Sequence, residues 1–183
     1  RQFLDGAEIH ESVLTLLALD RAGAEIRCMA PDTDQMHVVD HRSGEPTGES
    51  RNVLVESARI ARGEIVDVAS VSASELDALI VPGGYGAAKN LCSFATEGAD
   101  ASVHPEVARL FGELLDQKKP IGVVCIAPAV MAAVLRDRDD AGGSLTIGTD
   151  AGTAEALEAM GVVHASCPVE DVSVDTGRKL VRT

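Results

Sequence analysis

Two short apolar runs, each ending in a turn that leads toward a helix, constrain this chain more than any other feature. Ala78-Leu79-Ile80-Val81 runs into Pro82-Gly83-Gly84, and Pro120-Ile121-Gly122-Val123-Val124 runs into Cys125. Runs without a polar, solvent-facing position suit strands buried on both faces of a parallel sheet. Parallel strands need crossover connections, usually helices, and the sequence supplies them. Glu8 to Ala22 carries Ile9, Val13, Leu16 and Leu17 at helical spacing and stops at Gly23. Arg51 to Arg62 reads as a helix capped by Ser50 and closed by Gly63. Pro105 to Gln117 is amphipathic through Val107, Leu110, Phe111, Leu114 and Leu115, and Lys118-Lys119 suit its C-terminal dipole. Ile126 to Leu135 reads as a helix with Pro128 in its first turn, and Thr153 to Met160 as one closed by Gly161.

Further strands are expected at Glu25 to Ala30, His37 to Asp40 and Leu145 to Gly148, with Arg42 to Ser50 as a turn-rich loop. Asp171 to Val181 reads as a hairpin around Asp175-Thr176-Gly177. The alternation predicts an α/β fold: a doubly wound, mostly parallel sheet sandwiched by helices, ending in an antiparallel hairpin. The 183 residues suit a single domain. Such folds usually open on a central strand, whereas this sequence opens with a helix and ends on a strand. The expectation is therefore that a first strand and a closing helix lie outside these residues.

Composition narrows the function. Aromatic residues are 2% of a chain that is 45% hydrophobic, so the core must be aliphatic. The formal net charge of −13 disfavours nucleic acid and anionic membrane surfaces as partners. The longest apolar stretch, Ile121 to Leu135, is interrupted by Gly122 and Pro128 and is too short to span a bilayer. Arg1-Gln2-Phe3-Leu4-Asp5-Gly6 has no apolar segment of a secretory leader. Cys28, Cys92, Cys125 and Cys167 form no C-x-x-C pair, which argues against a zinc ribbon or disulfide framework and for a reducing, cytoplasm-like compartment.

Cys125 is the first candidate for chemistry. A residue at a strand-to-helix turn sits at the carboxyl edge of the sheet, where α/β folds bind ligands. The neighbouring helix N-terminus is expected to favour its thiolate, as at a nucleophile elbow. The glycines of Pro82-Gly83-Gly84-Tyr85-Gly86 let backbone N–H groups approach a ligand and form an oxyanion hole. Glu8 and Glu11, three apart on the first helix, each offer a general base or a partner for the thiol. His37 and His41 flank a strand with Asp40 between them, but four strand positions span about 13 Å, too far for one metal ion. No phosphate-binding or dinucleotide-binding glycine pattern occurs.

These stretches resemble a known superfamily. Val81-Pro82-Gly83-Gly84-Tyr85-Gly86-Ala87-Ala88-Lys89-Asn90-Leu91 and Gly122-Val123-Val124-Cys125-Ile126-Ala127-Pro128 are similar to the PfpI and Parkinsonism-associated deglycase superfamily of class I glutamine amidotransferase-like folds. Within it the chain most resembles the enhancing lycopene biosynthesis group, also called isoprenoid biosynthesis glyoxalases. That likeness rests on Asp5 to Glu11, Ala30-Pro31-Asp32, Arg51 to Gly63 and Thr146 to Asp150.

The resemblance implies a cofactor-free, metal-free glyoxalase. Cys125 would be its nucleophile and Glu11 the carboxylate beside it, with Glu8 as the alternative. The N–H groups of Gly84 and Ile126 would be its oxyanion donors. It further implies a small dicarbonyl substrate such as methylglyoxal or glyoxal, a homodimer, and a bacterial cytoplasm or a mitochondrial matrix. Peptidase-like members carry His directly after the cysteine; Ile126 stands there, so proteolysis is not implied. A non-enzymatic cysteine redox sensor or an accessory protein of isoprenoid biosynthesis are the alternatives.

Overall fold

The computed structural model describes residues 4–138, 142–168 and 170–183. Residues 1–3, half of the stretch searched for a leader, lie outside the described residues. In chain order the elements are α1 (Ile9–Arg21), β1 (Cys28–Ala30), β2 (Val39–Asp40), β3 (Glu45–Pro46), α2 (Val53–Ile60), β4 (Ile65–Asp67) and β5 (Leu79–Val81). They continue with α3 (Phe94–Glu97), α4 (Pro105–Asp116), β6 (Ile121–Val123), α5 (Pro128–Arg136), β7 (Ser144–Leu145), α6 (Ala151–Ala159), β8 (Val163–His164), β9 (Ser173–Asp175) and β10 (Leu180–Arg182). The chain is an α/β domain of the expected class.

The main sheet has the order β5-β6-β10-β9. β5, β6 and β10 run parallel, and the hairpin partner β9 runs antiparallel to β10. β1 and β4 form a separate parallel pair, as do β7 and β8. β2, within the strand expected at His37 to Asp40, pairs antiparallel with β3, which lies inside the stretch read as a loop. A groove of about 1010 Å³ runs between β1 and β5, lined by Leu16, Leu19, Cys28, Met29, Leu79 and Ile80.

Alternate residues of the main sheet have different fates. Val81, Ile121, Val123 and Leu180 are buried and join Leu110, Phe111 and Leu114 of α4 in one core. α5 is buried from Pro128 to Leu135 in that core. The opposite row, Ile80–Gly122–Val181–Val174, crosses all four strands in register. Ile80 is 39% exposed there and Val174 55%. An apolar run therefore did not mean burial on both faces at Ile80.

Three local expectations are corrected. α2 is capped by Asn52, not Ser50: its Oδ1 accepts from Val55 N–H at 3.1 Å while its Nδ2 donates to Asp32. Of the strand expected from Leu145 to Gly148 only Leu145 is in a strand, because β7 is Ser144–Leu145 and Asp150 already caps α6 by accepting from Thr153 N–H. In α1 the apolar stripe does not face the core. Of the expected stripe Ile9, Val13 and Leu17 are exposed and Leu16 is half-buried along the groove, while Ser12 is buried. The helix start is pinned by Glu8 N–H donating to the Gly83 carbonyl at 2.9 Å, which turns Glu11 and Ser12 toward the sheet edge.

Candidate active site

The site forms where β5 and β6 end. Val124 N–H donates to the Val81 carbonyl at 3.0 Å, and Cys125 N–H to the Thr183 carbonyl at 2.9 Å, tying three parallel strand ends together. Cys125 then adopts φ +59°, a left-handed conformation uncommon for a residue with a β-carbon. Such strain persists only where surrounding bonds enforce it, and it presents the side chain at the sheet edge. The thiol is exposed, whereas Cys92 and Cys167 are buried and Cys28 is half-buried.

Glu11 is the carboxylate that meets the thiol. Its Oε2 accepts from Gly83 N–H at 2.7 Å, and its carboxylate is hydrogen-bonded to Cys125. Gly83 must be glycine. A β-carbon there would lie 2.5 Å from the Cys125 β-carbon and 2.7 Å from Glu11 Oε2. The N–H groups of Gly84 and Ile126 both point at the sulfur. Gly84 has φ +92°, and a β-carbon there would collide with Glu8 N and Gly6 O at 2.4 Å.

Glu8 does a different job. Its Oε2 caps α1 by accepting from Glu11 N–H at 2.7 Å, and its Oε1 pairs with His10 at 3.0 Å. Burial pushes the Glu8 carboxyl up, but the Glu11 N–H and His10 outweigh it and hold it below the ordinary range. Of the two glutamates left open by sequence, only Glu11 reaches Cys125.

The surroundings of Cys125 act against the thiolate that the sequence leads one to expect. Burial first, and the Glu11 charge second, push the Cys125 thiol above its ordinary value, and the Gly84 and Ile126 N–H groups only partly oppose them. The Cys125 side chain is hydrogen-bonded to the Glu11 carboxylate.

A second layer holds the loop that delivers Glu11, and sequence reading missed it. Gly86 N–H donates to the Gly6 carbonyl at 3.0 Å. Asp5 Oδ2 accepts from Val39 N–H at 2.7 Å, and the Asp5 carbonyl accepts from Gln35 and Asn90. Lys89 donates to the Leu4 carbonyl at 2.8 Å. His41 accepts from Leu4 N–H and lies 3.6 Å from Asp5, so it serves this loop. The Lys89-Asn90 pair directly after the glycine turn was the available signal. Among the described residues, no group of three or more His, Cys, Asp or Glu could hold a metal ion, and no helix is long and apolar enough to cross a membrane.

No family model matches the chain. It is 50% identical over 189 residues to the human glutamine amidotransferase-like class 1 domain-containing protein 3, mitochondrial, covering 98% of this chain and 69% of that protein. The mitochondrial ES1 protein homolog of Rattus norvegicus is 49% identical with the same coverage. Among solved structures, the isoprenoid biosynthesis protein with an amidotransferase-like domain from Ehrlichia chaffeensis superposes with a TM-score of 0.89 at 42% identity, covering 98% of this chain and 81% of that one. Drosophila melanogaster DJ-1beta, at 19% identity and a TM-score of 0.55 over 97% of this chain and 76% of its own, shares the fold.

Proposed function

Because the chain belongs to the glutamine amidotransferase-like class 1 domain family that includes the ES1 proteins, we propose that it is a cofactor-independent glyoxalase for small neutral dicarbonyls such as methylglyoxal and glyoxal. The observation that carries this reading is the convergence of Glu11 and the Gly84 and Ile126 N–H groups on one exposed thiol. A base beside a nucleophile, facing two fixed donors, is the equipment of carbonyl addition.

The Cys125 proton passes to Glu11 as sulfur attacks the aldehyde carbon. The carbonyl oxygen gains the negative charge and is held by Gly84 and Ile126 N–H. Protonation of that oxygen by Glu11 gives a hemithioacetal and restores the carboxylate. Glu11 then takes the former aldehyde hydrogen as a proton, giving an enediolate, and returns it to the neighbouring carbon as the hydroxyl proton on the former aldehyde oxygen passes to the neighbouring oxygen. The product is a thioester of the 2-hydroxy acid. Water cleaves it, regenerating the thiol, so that methylglyoxal plus water becomes lactate.

Lactate formation from methylglyoxal, without glutathione or added metal, tests this against Cys125→Ala. Turnover that disappears with the thiol supports it; equal turnover in both proteins, or none in either, overturns it. A redox-sensor reading has one supporting observation, the exposure of Cys125 where the other three thiols are shielded. The exposed residues Val13, Leu14 and Leu17 of α1 support pairing with a second copy of the chain. The names of the human and rat relatives, both mitochondrial, support a mitochondrial setting, and the name of the Ehrlichia chaffeensis protein supports an accessory role in isoprenoid biosynthesis.

A further inference from the structure

The groups gathered at Cys125 suit acyl transfer as well as addition to an aldehyde. The thiol is exposed where β5 and β6 end. The Gly84 and Ile126 N–H groups point at its sulfur, and Glu11 is the one ionisable group among the described residues whose charge acts on it. Fixed donors beside a nucleophile hold the oxygen of an acyl group under attack just as they hold that of an aldehyde.

The leaving group decides which acyl compounds fit. An amine departs only once it has been protonated, the task a histidine performs in hydrolases that cleave amides. Here Ile126 follows Cys125, and no histidine among the described residues acts on the thiol. A thiol departs as the thiolate, with no proton needed at the moment the bond breaks. Burial and the Glu11 charge push the Cys125 thiol up, so a small thiol of ordinary value leaves more readily than Cys125 from a carbon that carries both. The exposure of Cys125 gives that thiol a way out into solvent.

We propose that the chain also hydrolyses thioesters formed between 2-hydroxy acids and small thiols. The proposal rests on the glyoxalase reading for the identity of the acyl group, because that reaction passes through the same acyl group on Cys125. Sulfur attacks the thioester carbon as the Cys125 proton passes to Glu11, and the carbonyl oxygen, now negative, accepts from Gly84 and Ile126 N–H. The carbonyl re-forms as the bond to the small thiol breaks, and the departing thiolate takes the proton from Glu11. Water then attacks the acyl carbon, losing a proton to Glu11. The bond to Cys125 breaks, and the proton returns to the sulfur. No group is oxidised or reduced: thioester and water become 2-hydroxy acid and thiol.

The test gives racemic S-lactoyl-N-acetylcysteamine to the unaltered chain and to Cys125→Ala, with methylglyoxal assayed in parallel. Lactate and free thiol are expected in equal amounts, at least tenfold faster than with Cys125→Ala. Peptide mapping after an acid quench is expected to find the lactoyl group on the Cys125 peptide of the unaltered chain. The corresponding N-lactoyl amide is expected to stay intact over the same time. Thioester cleavage no faster than with Cys125→Ala overturns the proposal even where methylglyoxal is turned over. Absence of the lactoyl group from Cys125 overturns it without any variant, so the test stands even where Cys125→Ala fails to fold. Amide cleavage at a comparable rate overturns it as well. Thioester cleavage through Cys125 without methylglyoxal turnover supports it and overturns the glyoxalase reading instead.

Discussion

Glu11 and Gly83, 72 residues apart in sequence, are joined by a 2.7 Å hydrogen bond from the Gly83 N–H to the Glu11 carboxylate. That bond sets Glu11 beside Cys125 and leaves Gly83 no room for a side chain. It makes the glycine turn part of the site as well as a connection into the π-helical turn Ala87–Leu91.

Gly83→Ala tests the close approach. The added β-carbon meets the Cys125 β-carbon at 2.5 Å and Glu11 Oε2 at 2.7 Å, so one of them must move. Overpacking of this kind costs about 1–3 kcal/mol. A denaturant titration is expected to show that loss, and lactate formation should fall more steeply than stability because both displaced groups belong to the proposed reaction.

Glu11→Gln and Glu8→Ala should separate the two glutamates. Removing the Glu11 charge lowers the Cys125 inflection, since that charge helps to raise it. The pH profile of Cys125 alkylation is expected to move to lower pH in Glu11→Gln, while turnover drops about 10²–10⁴-fold with the loss of the base. Glu8→Ala removes the α1 cap and should cost about 1 kcal/mol of stability. Its alkylation profile should stay near that of the unaltered chain.

Cys92 predicts an alkaline weakness. Burial raises its thiol to about 11, so the folded chain holds that proton more tightly than the unfolded chain. The resulting stability is complete below the ordinary thiol value of about 8.5 and is lost as pH climbs toward the folded value. Across that window Cys92 contributes a slope of about 1.4 kcal/mol per pH unit. Unfolding midpoints measured through this range should fall less steeply in Cys92→Ala than in the unaltered chain.

Asp5→Ala tests the outer layer. It removes the acceptor for Val39 N–H and the carboxylate beside His41, both of which anchor the loop that enters α1. Turnover is expected to fall about tenfold or more with the fold retained by circular dichroism, because small misplacement of a reacting group costs rate.

Much of this was legible before any coordinates. The two apolar runs, the glycine turn and the cysteine elbow are local patterns, and each lies where it was read. Asn52 was missed as a cap because Ser50 satisfies the same preference, and only the Asp32 and Val55 contacts distinguish them. The α1 stripe misled because periodicity marks an apolar side of a helix without saying what covers it.

Sequence alone determined the alternation of strands and helices, the mostly parallel character of the main sheet, and the place of Cys125 at a strand-to-helix turn, while β3, β4 and α3 went unread. Those follow from side-chain period and backbone preference, which act over a few residues. Tertiary structure decided that Glu11 and not Glu8 meets the thiol, that burial and the Glu11 charge push that thiol up, and that Arg182 is buried on the core face of β10. Each of those depends on distance and burial between segments far apart in the chain, and electrostatic energy is set by separation and solvent access in space.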